Sequence, residues 1–148
     1  MPAAPTFAKP TLIEDLFGRT LGALLRLGVG PAHMRVLEVR GRKSGAVYTL
    51  PIDPLHHDGK LYLVAPRGRT QWVRNVEASG AITLRRGSTI EHYSVRALTD
   101  DEKPPILKAY LDGFRREVQR FFPVIAGSPP DAFAPLAARY PAFELVRR

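Results

Sequence analysis

The run Gly41-Arg42-Lys43-Ser44-Gly45 joins two segments that both read as β-strand, and this strand–turn–strand unit constrains the fold more than any other feature of the chain. Ahead of it, Met34-Arg35-Val36-Leu37-Glu38-Val39-Arg40 alternates apolar and charged residues with the period of a half-buried strand. Behind it, the segment from Val47 to His56 is rich in β-branched, aromatic and apolar side chains. Two cations and a hydroxyl lie between glycines, which reach backbone angles closed to other residues. Together they form a compact anion receptor at the mouth of a β structure. Taken alone, the loop reads equally well as a basic hairpin turn kept in water by its charges.

The remaining segments extend the pattern. Asp58-Gly59 marks a tight hairpin turn into Leu61-Tyr62-Leu63-Val64-Ala65. Strands over Ala81–Arg86 and Ile90–Leu98 flank a turn at Gly87-Ser88, and Ala142-Phe143-Glu144-Leu145-Val146 supplies a last strand. Thr11 and Glu14 fit a capping box, after which Leu12, Ile13, Leu16, Leu21, Leu24 and Leu25 recur near helical spacing until Gly28. Arg67 to Ser79 reads as a short crossover, helical around Gln71–Val76. Thr99 opens a helix through Phe122, with Pro104 and Pro105 in its first turn, and Ser128-Pro129 starts a last short helix. This order predicts one α+β, mainly β domain built as a small barrel of about six strands. The barrel core would occupy residues 34–98, with an arm and helix over 1–30 and helices and the final strand over 99–148.

Composition removes several function classes. A chain of 148 residues with a 45% apolar content can bury a real core. With no cysteine it forms no disulfide, thiolate metal site or cysteine nucleophile. Residues 1–10 lack the order of a secretory signal, and the most apolar stretch, Leu21 to Val29, is short and broken by Arg26. The expectation is a soluble, cytoplasmic protein. The net charge of +8, carried mostly by arginine, calls for an anionic partner. Nucleic acid is not expected, because neither a basic groove-binding helix nor cations interleaved with aromatics occur. His56-His57 before Asp58-Gly59 lack a third ligand, so no metal is expected. Leu37 and Arg42 stand where a phosphate-binding loop ending at Lys43-Ser44 has its glycines, and Gly28-Val29-Gly30 follows a helix rather than a strand.

Gly41-Arg42-Lys43-Ser44-Gly45, then Pro51, then Ala65-Pro66-Arg67-Gly68, then Trp72-Val73-Arg74-Asn75 form an ordered set that resembles the deazaflavin-dependent nitroreductase family of actinobacteria. That family in turn is similar to the flavin-reductase and pyridoxamine-phosphate-oxidase split barrels. The resemblance implies a split β-barrel and coenzyme F-420, an 8-hydroxy-5-deazaflavin with a phosphodiester and an oligoglutamate tail. It also implies hydride transfer from the reduced coenzyme to a small acceptor: a quinone, a nitro compound or an activated alkene. The hydride donor carries the difficult chemistry, so the protein need only position and tune it.

On that resemblance, the phosphodiester sits against Arg42, Lys43 and Ser44, and Thr49, Leu50, Pro51 and Ile52 line the deazaflavin. Ala65, Pro66 and Arg67 make a further cofactor contact, and Trp72 and Asn75 close the pocket. Taken singly, Trp72 reads as a core residue and Asn75 as a helix cap or turn former. The family commonly carries a basic residue where this chain has Tyr48, so a phosphate there would meet a hydroxyl in place of a charge. Tyr48 and Tyr110 are the tyrosines to test as proton donors, although the proton is expected largely from solvent. Alternatives are an FMN-binding split-barrel oxidoreductase and a non-catalytic deazaflavin or lipid carrier. Leu12, Leu16 and Leu24 are expected to cover the barrel end or the acceptor pocket, with Arg19 and Arg26 turned to water. Peripheral membrane contact through this helix is the second reading.

Overall fold

The alternating segments pair as the turns between them dictate. The computed structural model describes residues 12–148, with side chains from Arg19 onward. Its strands are β1 (Arg35–Arg40), β2 (Val47–Ile52), β3 (Leu55–His57), β4 (Lys60–Val64), β5 (Ala81–Arg86), β6 (Thr89–Ala97) and β7 (Ala142–Arg147). They form one antiparallel sheet in the order β2-β1-β5-β6-β7-β4-β3. The Asp58-Gly59 hairpin carries both residues at positive φ, 49° and 74°, as its tight turn requires.

The strand expected from Val47 to His56 is two strands. Pro54 has no N–H to give a ladder and biases Asp53 away from regular pairing, so pairing with β1 ends at Ile52. The chain then joins the opposite edge of the sheet, where β3 pairs with β4. Only Asp53 and Pro54 separate β2 from β3, yet these are the two outermost strands. A link this short spans about 10 Å at most, so the sheet must curl until its edges meet at that corner. The expected split β-barrel is therefore closed covalently at Asp53-Pro54, and β2 has no strand partner along its outer side among the described residues.

Inside the curl, Leu37, Val39, Leu63, Leu84 and Phe143 pack with Val73 and Val76 of α2 (Gln71–Ser79). Gly80 ends that helix at φ 70°, its N–H donating to the Val76 carbonyl at 2.8 Å. A second cluster joins Leu55, Tyr62 and Val64 to the C-terminal segment. There the single helix expected from Thr99 to Phe122 is interrupted. A 3-10 turn at Asp100–Glu102 leads into α3 (Lys103–Gly113), with proline in its first turn, then α4 (Arg115–Val118) and a 3-10 turn at Gln119–Phe121. The break falls at Phe114, whose backbone leaves the helical region (φ −122°, ψ 30°) next to Gly113, a weak helix former. Residues 128–140 form two 3-10 turns where a short helix was expected.

The N-terminal helix α1 (Leu12–Arg26) lies across β1 and β2 and docks on the β5–β6 hairpin. Gly28 and Gly87, at φ 81° and 56°, meet so closely that a Cβ on Gly87 would lie 3.4 Å from the Gly28 Cα. The Gly87 N–H donates to the Leu25 carbonyl at 3.0 Å, and the Arg86 guanidinium donates to the carbonyls of Gly30 and Pro31 at 2.8 Å each. This docking corrects the expected helix face: Leu25 is fully buried, while Leu24 is 40% exposed. The expected Thr11 cap and the side chains of Glu14, Leu12 and Leu16 lie outside the described residues. No helix among the described residues is long and apolar enough to cross a membrane.

Candidate functional site

The glycine-bracketed loop turns on its own backbone. The Gly41 N–H donates to the Ala46 carbonyl at 2.7 Å, and the Gly45 N–H, at φ 75°, to the Gly41 carbonyl at 3.0 Å. The Ser44 hydroxyl oxygen accepts the Ala46 N–H at 3.1 Å. Gly41 is buried beneath Tyr48, whose ring would sit 2.4 Å from any Cβ added there. That contact gives Tyr48 a packing role in the loop.

Asn75, only 3% exposed, fastens this loop to α2. Its Oδ1 accepts both the backbone N–H of Arg42 at 3.1 Å and the Arg42 guanidinium at 2.8 Å. The second arm of the same guanidinium donates to Gln71 Oε1 at 2.9 Å. Arg42 is thus the tie between loop and helix, and Lys43 is the exposed cation beside it. Arg42, Lys43, Tyr48, Gln71 and Asn75 surround a small pocket of about 180 Å³.

From that pocket a cleft of about 960 Å³ runs along β2, between α1, α2 and the Val118–Phe121 turn. Thr49, Leu50, Pro51 and Ile52 line it, as do Pro66, Arg67, Tyr48, Trp72 and Asn75. Trp72 serves two surfaces, since its ring also lies 6.3 Å from that of Phe143 in the barrel core. Ala65 and Ser44 border neither cavity; Ala65, just past the end of β4, is 1% exposed. Arg19 and Arg26, expected to face water, border the cleft together with Arg120. Helical spacing could not have placed them, because the docking angle of α1 is set by Gly28, Gly87 and Arg86.

The far end of the cleft holds titratable groups that strand periodicity left unremarked. Asp53 borders it, with a side chain only 11% exposed, and its Oδ1 lies 3.2 Å from His33 Nε2. Burial raises the Asp53 carboxyl above its ordinary value, partly opposed by His33 and reinforced by Glu117. Tyr110, 4% exposed, borders the same end, and burial next to Asp53 and Glu117 pushes its phenol far above the ordinary range. Of these groups the sequence pointed only to Tyr110; the Asp53-Pro54 dipeptide, whose proline cannot donate to a ladder, is a signal that could have marked the corner but reads through as strand. No group of His, Asp and Glu among the described residues could hold a metal ion.

Comparison with known proteins follows the same lines. The profile of a family described as F420H(2)-dependent quinone reductase matches residues 15–114. No curated protein matches the chain. Among solved structures, an F420-H2 dependent reductase (FDR-A) superposes with a TM-score of 0.53 at 19% identity, covering 80% of this chain and 97% of its own. A structure described as a domain-swapped dimer gives 0.56 at 19% identity, covering 90% and 96%. A Listeria innocua protein, provisionally described as pyridoxamine 5'-phosphate oxidase, gives 0.52 at 11% identity, covering 78% and 84%. At such identities these structures speak to the fold, which is the split barrel.

Proposed function

The chain belongs to the F420H(2)-dependent quinone reductase family, and from that premise we propose that its β2 cleft holds reduced F-420 for hydride transfer to a small acceptor, a quinone before a nitro compound or activated alkene. The observation that carries this reading is the cleft itself: a long cavity on the unpaired side of an edge strand, with the pinned cationic loop at one end. The residues present fit the coenzyme. Strand β2 offers backbone groups that no other described strand uses, a surface suited to a flat polar ring system. Lys43 would meet the phosphodiester as a charge-assisted donor, in a loop held still by Arg42 and Asn75. Arg19, Arg26, Arg67 and Arg120 border the cleft, and their cationic groups suit an anionic coenzyme.

When bound, reduced F-420 supplies the hydride. The chain's own residues then bind, orient and exclude water. Trp72, fixed against the Phe143 side of the core, forms a stiff wall of the cleft, and Tyr110, Val118 and Phe121 shape its far end. Holding donor and acceptor in register is a large contribution that such a site can make without any reacting side chain.

Trp72 is the single tryptophan, so its fluorescence reports occupancy of the cleft. Titration with F-420 should quench it saturably, and reduced F-420 should then be oxidised on addition of a naphthoquinone. Saturable quenching by FMN with none by F-420 would refute the cofactor assignment; tight F-420 binding without turnover on quinones, nitro compounds or alkenes would indicate a carrier.

A further inference from the structure

The geometry points to Asp53 as the group that protonates the reduced acceptor, recharged from solvent through His33; this rests on the reading of the cleft as a quinone reductase site. Strand β2 runs from the Gly41–Gly45 loop to Asp53, and the residues from Val47 to Asp53 span about 20 Å at the usual strand rise. A coenzyme anchored by its phosphate at the loop therefore directs its other end toward the Asp53 corner. That corner is bordered by Tyr110, Val118 and Phe121, from the C-terminal segment, and so has walls of its own for a second small molecule.

The pair has the layout of a relay. Asp53 Oδ1 is buried with no hydrogen-bond donor among the described residues, and His33 Nε2 lies 3.2 Å away as an ion-pair partner. His33 reaches outward, with a side chain 42% exposed, and histidine is the side chain suited to exchanging protons near neutrality. Its ring is set against Phe114 at 5.4 Å, and its Nε2 is 3.9 Å from Glu117 Oε1. The groups facing Asp53 are thus His33 from the segment before β1, Tyr110 from α3 and Glu117 from α4, with Arg19 and Arg26 of α1 also bordering the cleft. Burial keeps a proton on Asp53 to a higher pH than an ordinary aspartate would. The break at Phe114 is what turns the Phe114 ring toward both His33 and Tyr110.

The balance is simple. Hydride uptake by a quinone adds two electrons and one proton and leaves a hydroquinone monoanion. The Asp53 O–H bond breaks, its proton forms the second O–H bond of the hydroquinone, and Asp53 becomes a carboxylate. His33 then returns a proton from solvent, which receives the proton released by the oxidised coenzyme. The sum is one quinone and one reduced F-420 giving one hydroquinone and one oxidised F-420.

The test compares two acceptors on wild type, Asp53→Asn and His33→Gln. A naphthoquinone needs the extra proton; N-methylphenazinium, a cation, becomes neutral on taking a hydride and needs none. Asp53→Asn should lower quinone turnover about a hundredfold or more beyond any loss of N-methylphenazinium turnover, with saturable Trp72 quenching showing that F-420 still binds. His33→Gln should keep the first quinone turnover and slow the later ones. Without any coenzyme, infrared titration should show a protonated-carboxyl band that Asp53→Asn removes and that persists above the pH at which ordinary aspartates ionise. Equal losses on both acceptors, or none on the quinone, overturn the proposal and leave the reductase reading standing. Wild-type protein that reduces N-methylphenazinium but no quinone overturns the acceptor reading, and this proposal with it.

Discussion

Asn75 gives the sharpest test of how the site is held together. Asn75→Ala deletes one acceptor that serves two donors of Arg42, a backbone N–H at 3.1 Å and a guanidinium arm at 2.8 Å. The neutral bond contributes about 1 kcal/mol and the charged one about 1.5–3 kcal/mol. The Gln71 contact at 2.9 Å survives, and Arg42 is only partly buried, so water recovers part of the loss. The net destabilisation should be about 2–3 kcal/mol, or a fall of about 4–12 °C in Tm for a domain of this size. Because the guanidinium bond needs both side chains, a double-mutant cycle with Arg42→Ala, which keeps the backbone N–H bond, should show coupling of about 1.5 kcal/mol or more. Freed from α2, the loop should also bind F-420 about tenfold more weakly or worse, a change of about 1.4 kcal/mol. Thermal denaturation and Trp72 quenching measure both quantities on the same samples. Additive Tm changes in the two single variants, with F-420 affinity unaltered, would refute the view that Asn75 organises the anion loop through Arg42.

Other expectations follow from the same geometry. Lys43→Ala removes the exposed loop cation and should weaken F-420 binding ten- to a hundredfold, about 1.4–2.8 kcal/mol, with Tm nearly unchanged; unaltered affinity in the folded variant would falsify its phosphate role. Leu25, wholly buried where α1 meets the β5–β6 hairpin, should cost about 2–5 kcal/mol on change to Ala. Leu24→Ala, at a 40% exposed site, should move Tm far less, and the reverse order in a melting experiment would place the helix the other way round. Glu102 accepts hydrogen bonds from both arms of Arg96 at 3.0 Å and from the Thr99 N–H at 2.9 Å, which pulls its carboxyl down from 4.5 to about 2. A depressed acid stabilises the fold above its unfolded value and loses that contribution as pH falls through the folded one. The Glu102 carboxyl resonance should therefore titrate near 2 by NMR, and a midpoint near 4.5 would show the pair is not formed.

Local pattern was enough to locate most strands and the loop that matters. Period-two alternation marked β1, the Asp58-Gly59 turn fixed the β3–β4 hairpin, and Gly87 fixed the next. The ordered motifs pointed to residues that line one cleft, Thr49 to Ile52 and Pro66, Arg67, Trp72 and Asn75 among them. These were legible because turn chemistry and side-chain alternation act over a few residues. What sequence pattern alone missed is set by contacts between distant segments. Pro54 reads as one more residue in an apolar run until the sheet order shows that β2 and β3 lie on opposite edges. Phe114 reads as helix until His33 and Tyr110 are seen packed on its ring. The face of α1 could not be assigned from its leucines, since either of two neighbouring phases buries some of them; the Gly28–Gly87 approach and the Arg86 bonds choose Leu25. Sequence pattern determined the hairpins and the glycine-bracketed loop, because each is made by neighbours in the chain. Tertiary structure alone decided that Arg42 holds the loop through Asn75, 33 residues away, and that Asp53 meets His33 at the corner where the barrel closes, because burial and long-range pairing exist only once the sheet has curled.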